Sequence, residues 1–364
     1  MRFFDWRWWL GMRPKFATKP SGPYSITVVI PAYNEEKSIA DTIRSVQAQT
    51  VPIERILLVD DSSTDATGTV GSVHGAEVVR TKANQGTKAM ALNYVLDMVT
   101  SDLVVTIDAD TILAPDAIEK ILPYFGDEKT ALVCGFVVPQ RIRTLWECAR
   151  FIEYLFGICI VKAGQNNIGA VIVCCGCFSV IRTQIWQQFG GFKPRTMAED
   201  MDFTWEVQKE GYRVYCVQNS YCYPLDPSTA RIFIAQLDRW YRGLFQCLAI
   251  HRFGKNKKLG FVIYGQLASV IISPIVIAVC VASVALYTKS ILTTFAFWFL
   301  FDFMMMAIPC VIKGAMMGML GKTLTSLPIY FIVMPVSLYV FWRSLWKEWI
   351  KKERLQVWVK GHEE

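Results

Sequence analysis

Three long apolar segments crowd the last hundred or so residues of this 364-residue chain, at 259–286, 291–312 and 324–341. A membrane-spanning helix needs about 20 apolar residues in a row, so each is long enough or nearly so. The first 250 or so residues read instead as an ordinary globular domain. With 53% hydrophobic and 19% charged residues, the chain is too apolar for an ordinary soluble enzyme and is no disordered chain. We expect an interfacial segment and linker at 1–24, a globular domain at 25–250, and transmembrane or interfacial helices with a basic tail at 251–364.

Charge orients that arrangement. The net charge is +7, and Lys255, Lys257 and Lys258 precede the first apolar segment while Lys347, Lys351, Lys352 and Arg354 follow the last. Such clusters mark cytoplasmic flanks, which gives a multi-pass cell-membrane protein with its globular domain on the cytoplasmic side. Three spans would put the two flanks on opposite sides. Either one segment is therefore re-entrant or interfacial, or the first is broken at Ser273-Pro274. Met1 to Met12, with three tryptophans beside arginines, suits the headgroup layer, and Pro14, Pro20 and Pro23 make a linker. Gly321-Lys322-Thr323 resembles the end of a phosphate loop, but Met316 stands where that loop needs glycine. It reads as a connection between membrane segments. No long basic stripe with interleaved aromatics offers a nucleic-acid surface.

Eleven cysteines sit in apolar contexts without paired zinc-ligand spacing, and read as reduced, buried small hydrophobes. Three separated histidines, His74, His251 and His362, exclude a His-Glu-x-x-His zinc site and disfavour a Ser-His-Asp triad.

The globular part alternates strands and helices. Ile26 to Pro31, Arg55 to Val59, Glu77 to Arg80 and Leu103 to Ile107 are short β-branched runs typical of buried parallel strands. Between them, Ile39, Ile43 and Val46 make one helix face, with Asn34 as a candidate cap. Asp65 can cap a second helix, and 87–98 reads as a third. The order β-α-β-α-β-α-β-α predicts an α/β domain on a doubly wound, mostly parallel sheet. Polar residues cluster just past the carboxyl ends of the strands, where open α/β sheets bind ligands. These are Tyr33, Asn34 and Glu35, then Asp60 and Asp61, then Asp108 and Asp110. Glycine-rich dinucleotide spacing is absent. Acidic loops cannot cradle phosphate, but they can hold a divalent cation that does. Asp108-Ala-Asp110 can share Mg2+ or Mn2+ with a nucleotide. Glu199 and Asp200 open an amphipathic run, as a charged helix start or as a general base. Gln236-x-x-Arg239-Trp240 can hold phosphate and stack on a sugar, or serve as an interfacial anchor.

Taken together, these elements resemble the family-2 inverting glycosyltransferases of the GT-A nucleotide-diphospho-sugar transferase fold. The matching stretches are Val29-Ile-Pro-Ala-Tyr-Asn-Glu35, Val59-Asp-Asp-Ser-Ser-Thr-Asp65, Asn84 to Asn93, Asp108-Ala-Asp110, Glu199-Asp200 and Gln236-x-x-Arg239-Trp240. The last, before carboxy-terminal apolar segments, is similar to the polysaccharide-synthase branch that makes cellulose, chitin, hyaluronan and poly-N-acetylglucosamine. The resemblance implies that Ala32, Tyr33, Glu35 and Asp61, with Asp60 beside them, hold the nucleoside of a donor, by family a UDP-sugar. It implies Lys88 at the diphosphate or ribose, Asp108 at the nucleotide and Asp110 at Mn2+ or Mg2+. Asp200 would be the base with Glu199 beside it, and Gln236, Arg239 and Trp240 would close over diphosphate and acceptor. Cys175 and Gly176 would lie in a loop near the acceptor. The acceptor would be a growing glycan or a lipid-linked one.

The chain departs from the pattern in Ala198, where threonine is usual, in one extra residue between Asn84 and Asn93, and in a small membrane part with no apolar segment before the domain. Processive synthesis, transfer of one or a few sugars, and a channel built by several copies all stay open. Other readings are a polyprenyl-phosphate sugar synthase, which would not need Gln236-x-x-Arg239-Trp240, and a catalytically dead nucleotide-sugar-binding scaffold. A transporter finds only Asp302 and Gln266 as polar residues in the apolar segments.

Overall fold

A computed structural model describes residues 22–253, 255–288 and 291–355. The tryptophan-rich start and the last residues of the tail lie outside the described residues.

Eight strands form one sheet in the order β3-β2-β1-β4-β7-β6-β8-β5. The first four are β1 (Ile26–Ala32), β2 (Arg55–Asp60), β3 (Glu77–Arg80) and β4 (Leu103–Ile107). They are parallel and lie within one residue of their expected bounds. The side chains of Val28, Val29 and Ile30, and all five of β4, are buried, as strands covered on both faces must be. The second half comprises β5 (Ile112–Leu113), β6 (Thr130–Val137), β7 (Phe178–Arg182) and β8 (Arg213–Tyr223). β7 runs antiparallel between β4 and β6, and β5 runs antiparallel on β8, so the sheet is mixed. β6 and β8 are parallel to each other.

The helices of this part are α1 (Ile39–Gln47), α2 (Thr67–Val73), α3 (Lys88–Asn93), α4 (Ala117–Ile121), α5 (Leu145–Phe156), α6 (Ala163–Ile168), α7 (Thr183–Gln188), α8 (Glu199–Lys209) and α9 (Ala230–Ile250). Ile39, Ile43 and Val46 of α1 are fully buried, as their spacing requires. Asn34 does not cap α1. The helix begins after Ser38, and Asn34, at φ 55°, accepts a hydrogen bond from the Thr64 amide at 2.8 Å, tying two loops together. Asp65 does meet the start of α2, accepting from the Thr67 amide at 3.0 Å.

Four more helices complete the chain: α10 (Lys257–Thr288), α11 (Ile291–Met316), α12 (Leu320–Ser326) and α13 (Tyr330–Leu345). α10 passes Ser273-Pro274 without a break. Gly321-Lys322-Thr323 is helical rather than a loop, because it lies inside α12. Two stretches among the described residues, 299–316 and 320–350, are long and apolar enough to cross a membrane by length and composition. α11 also runs past the expected end of its segment at 312. Its last turn docks on the sheet, where Lys313 Nζ donates to the Gln218 carbonyl at 2.7 Å and lies over the Phe136 ring. Met306, Ala307 and Cys310 of α11 are buried in the same core as Ile158 and Cys159. Asn256, just before α10, donates to the Gln208 carbonyl at 2.9 Å. Lys322 donates to the Ile142 carbonyl at 3.2 Å, and Trp349, beyond α13, to the Phe245 carbonyl at 3.4 Å.

Candidate active site

The carboxyl ends of the strands open into a cavity of about 1080 Å³, and every candidate site residue except Asp60 lines it. Ala32 ends β1, Tyr33 is an exposed ring after it, and Glu35 is held by Ser38 Oγ at 2.7 Å. Asp60 and Asp61 part company because consecutive residues at a strand end point to opposite sides. Asp60 turns inward, accepts from the Ser63 amide at 2.9 Å and pairs with Arg80. Asp61 faces the cavity and accepts from Thr81 Oγ1 at 3.0 Å and the Gln85 amide at 2.9 Å. Asp60 therefore braces the loop, and Asp61 is the carboxylate that a ligand in the cavity can meet.

Lys88 stands at the start of α3. It pairs with Asp108 and donates to the Gly176 carbonyl at 2.7 Å. Burial pushes its pKa down, but Asp108, Glu199 and Asp200 outweigh burial and hold it above the ordinary lysine value. Asp110 is braced through its backbone, whose carbonyl accepts from Gln140 Nε2 at 2.6 Å. Asp226, missed by sequence reasoning, also lines this part of the cavity. Tyr154 donates to its Oδ1 at 3.0 Å, and its buried Oδ2 has no hydrogen-bond partner. Burial, with Asp110 and Glu153 adding to it against Arg150 and the Tyr154 hydrogen bond, pushes its pKa up to about 7. Asp110 and Asp226 both line the cavity, the charge of Asp110 acts on Asp226, and carboxylate oxygens such as the orphaned one of Asp226 suit a hard divalent cation. Among the described residues no cluster of three or more metal-binding side chains exists, so these two carboxylates would hold such a cation only together with further oxygen ligands.

Glu199 and Asp200 sit in the first turn of α8. Asp200 accepts from the Gly176 amide and from the Met201 amide, both at 2.8 Å. Burial holds both carboxylates above their ordinary range, with Lys88 and Arg239 pulling the other way. α8 also fixes the Cys175–Gly176 loop by a ladder of side chains at i, i+4, i+5 and i+8. Thr204 Oγ1 accepts from the Cys174 amide at 3.1 Å, Trp205 Nε1 donates to the Ile172 carbonyl at 2.7 Å, and Gln208 Nε2 donates to the Val171 carbonyl at 2.6 Å. A Cβ at Gly176 would lie 3.2 Å from Lys88 Nζ and 3.3 Å from Asp200 Oδ2, so glycine lets these two groups approach.

Gln236, Arg239 and Trp240 lie on α9 and face the same space. Arg239 makes no hydrogen bond or ion pair with any described residue, and its charge acts on Glu199 and Asp200. Gln236 and Trp240 are held from behind by Arg150 of α5, a buried residue that sequence reasoning passed over. Arg150 Nη2 donates to Gln236 Oε1 at 2.6 Å, and its guanidinium lies 4.5 Å from the Trp240 ring centre and 4.3 Å from that of Phe233. Glu153 and Asp226 supply its counter-charges. Ala198, the departure from threonine, has a steric setting. A Cβ at Gly243 would come within 2.6 Å of the Ala198 Cβ, so two small residues let α9 cross directly over the start of α8.

The far end of the cavity is of another kind. Between α10, α11 and α13 it is walled by Ile263, Leu267, Met306, Val333, Met334 and Leu338. Its polar contacts are few: Tyr330 donates to Asp302 at 2.7 Å and Ser337 to Glu153 at 3.1 Å.

Residues 27–189 match the family described as Glycosyl transferase family 2. A hyaluronan synthase from Streptococcus pyogenes is 29% identical over 252 residues, 64% of this chain and 59% of that enzyme. A poly-beta-1,6-N-acetyl-D-glucosamine synthase from Staphylococcus epidermidis is 26% identical over 276 residues, 73% of this chain and 66% of that enzyme. The chain thus matches about three fifths to two thirds of the length of these relatives. A mannosyltransferase from Pyrobaculum calidifontis, solved in complex with GDP-Man and Mn2+, superposes with a TM-score of 0.62 at 19% identity over 89% of this chain and 92% of the other. That likeness is one of fold. By sequence and architecture, the chain carries a family-2 glycosyltransferase domain with a GT-A fold.

Proposed function

We propose that this protein is a membrane-bound inverting glycosyltransferase that moves a sugar from a nucleotide-diphosphate donor, a UDP-sugar, to an acceptor hydroxyl. One observation carries the reading: Asp200 and Arg239 line one cavity together with Asp61, Asp108 and Asp110, and the Arg239 charge acts on Asp200. Asp200 accepts the acceptor hydroxyl's proton as that oxygen attacks the anomeric carbon, with the Gly176 and Met201 amides holding the carboxylate in line. Arg239 stabilises the negative charge that grows on the departing diphosphate. A divalent cation on Asp110 and Asp226 would supply further charge neutralisation there. One displacement inverts the anomeric centre. Tyr33, Glu35 and Asp61 hold the nucleoside, and Trp240 offers a face on which the acceptor sugar stacks.

The helical region supports residence in a membrane. Phe261, Ile275, Val279, Leu286, Leu292 and Phe297 expose apolar surface that water disfavours. α10 leaves the catalytic domain and α11 returns to it, which supports a two-span hairpin. The 320–350 stretch touches the catalytic domain at both ends, which supports an interfacial position for it. Two crossings put both basic flanks on the cytoplasmic side with the catalytic domain, as the charge distribution requires.

The test is nucleoside diphosphate release by detergent-purified protein from UDP-glucose, UDP-N-acetylglucosamine, UDP-glucuronate and GDP-mannose. Each is run with Mn2+, Mg2+ or chelator and with membrane lipid extract. Metal-dependent release from one donor, lost in Asp200→Asn, supports the proposal. Donor binding without release under every condition supports a nucleotide-sugar-binding scaffold instead.

A further inference from the structure

Arg239, Gly243 and Gln246 recur at i, i+4 and i+7 of α9 and so lie along one face of it. Arg239 opens into the cavity, and its charge acts on Glu199 and Asp200. Gly243 lies against Ala198. Gln246 reaches one residue further back, where its Oε1 accepts from the buried Met197 amide at 2.8 Å. Three successive points of one helix face therefore meet the short stretch of chain that ends in Asp200. Ala198 stands at the N-cap of α8 and makes no side-chain hydrogen bond there, so α8 lacks the side-chain cap that usually fixes a helix start.

The Gln246 amide can do this in one orientation only, and Glu348 sets that orientation. Glu348 sits in the π-helical turn Trp346–Ile350 that continues α13. Such turns gather at functional sites. Its Oε1 accepts from Arg242 Nε at 2.7 Å, from Gln246 Nε2 at 3.1 Å and from the Leu355 amide at 3.1 Å. The Leu355 carbonyl accepts from Gln246 Nε2 as well, at 3.1 Å. Arg242, Gln246 and Glu348 are all buried. An ionised carboxylate only accepts, so Gln246 must turn its NH2 group to Glu348 and leave its oxygen for Met197. Reversed, the amide would set donor against donor at Met197 and acceptor against acceptor at Glu348. An ion pair between Arg242 and Glu348 alone would not need this glutamine.

We propose that Gln246, oriented by Glu348, is a positioning residue for the catalytic base: it sets how the chain enters α8 and thereby where Asp200 stands in the cavity. The proposal rests on the transferase reading for what Asp200 does, and goes beyond it by tying the base to the turn that follows α13.

Hydrogen exchange over residues 195–201, measured on the full-length protein in detergent, tests the clasp without any assay of turnover. Gln246→Met keeps the length of the side chain and removes its hydrogen bonds. It is expected to speed exchange there by about two- to ten-fold, the worth of one ordinary hydrogen bond, with β1 and β4 unchanged. With the donor that the wild-type protein turns over, the same variant is expected to lower kcat by about ten- to a hundred-fold while the donor KM and UDP affinity stay as they were. Gln246→Glu, which sets two carboxylates together, is expected to act likewise, and Gln246→Glu combined with Glu348→Gln to recover most of the loss. Exchange over 195–201 that is unchanged in Gln246→Met overturns the clasp. Faster exchange with kcat within about two-fold of wild type overturns the positioning of the base. So does a joint fall of kcat and UDP affinity with faster exchange in β1 and β4, which a loosened fold would give. A wild-type protein that turns over no donor removes the base from the proposal together with the transferase reading, while the exchange result still decides the clasp.

Discussion

The two ends of the cavity are built on opposite principles. At the sheet edge, the strand-end carboxylates are matched before any ligand arrives: Asp108 with Lys88, Asp60 with Arg80, Asp61 with a hydroxyl and an amide. Between the helices, aliphatic walls carry few polar contacts. Pre-paired charge holds a geometry fixed, which a donor with a scissile bond requires. Apolar walls accept a range of shapes, which suits a long and variable acceptor. The difference assigns precision to the sheet and tolerance to the helices.

The largest effect that tests this contrast is at the base. Asp200→Asn should lower kcat by about 10²–10⁴-fold, the usual contribution of a general base. Because burial raises the carboxylate pKa, the protonated, inactive form persists to higher pH. The acid limb of kcat/KM should therefore lie above the ordinary carboxylate value of about 4, and it belongs to the Glu199–Asp200 pair. A limb at or below that value would remove Asp200 from the role.

Arg150→Ala comes next. It strands Glu153 and Asp226 in the interior and frees Gln236 and Trp240, at a cost of about 3–5 kcal/mol in stability, as for other broken buried ion pairs. Denaturant unfolding measures it. A loss under about 1 kcal/mol, the range of an exposed ion pair, would mean that the junction between the two ends is as loose as the apolar end itself.

The scaffold behind the base gives a smaller, pH-dependent effect. Asp202 of α8 is buried between Arg195, at 2.8 Å, and His251. Burial alone would raise its pKa, but the His251 and Arg195 hydrogen bonds outweigh it and hold the pKa below the ordinary value. A depressed folded pKa contributes stability above the unfolded value of about 3.9, and that stability is lost as pH falls through the folded value. Asp202→Asn should therefore destabilise the protein at neutral pH and flatten the acid slope of its unfolding free energy below about pH 4. An unchanged slope would contradict the pairing.

Two milder substitutions sharpen the comparison further. Asp61→Asn should weaken UDP binding while Asp60→Asn lowers stability and leaves bound UDP unaffected, both read by calorimetry and thermal unfolding. At the apolar end, Tyr330→Phe should cost no more than about 1.5–3 kcal/mol, the worth of one hydrogen bond to a charged group. A larger loss would show that the tolerant end is not tolerant.

Much of the sheet-edge half could be read from the chain because its signals are local. Apolar runs end in polar residues, and those ends became β1 to β4 with Tyr33, Asp61 and Asp108 at their tips. The other half depends on partners far apart in sequence. β7 returns antiparallel beside β4 from more than seventy residues away, with no sequence signal for that pairing. Arg150, set in an amphipathic helix, reads as a solvent-facing charge until Gln236, 86 residues on, comes to meet it. Asp226 carries no motif at all, and only its unsatisfied oxygen singles it out. Between Asp60 and Asp61 the chain gives two adjacent carboxylates, and only the end of β2 decides which one a ligand meets.

The docking of α11 has a practical consequence for anyone dividing the protein. Met306, Ala307 and Cys310 fill the same interior as the catalytic sheet, and Val333 and Val340 pack on Ala149, Phe233 and Leu237. A chain cut after residue 250 would keep its cavity carboxylates and lose one wall of the room that holds them. Solubility gained that way would come with a bared interior surface, so the catalytic domain is best handled with its greasy helices attached.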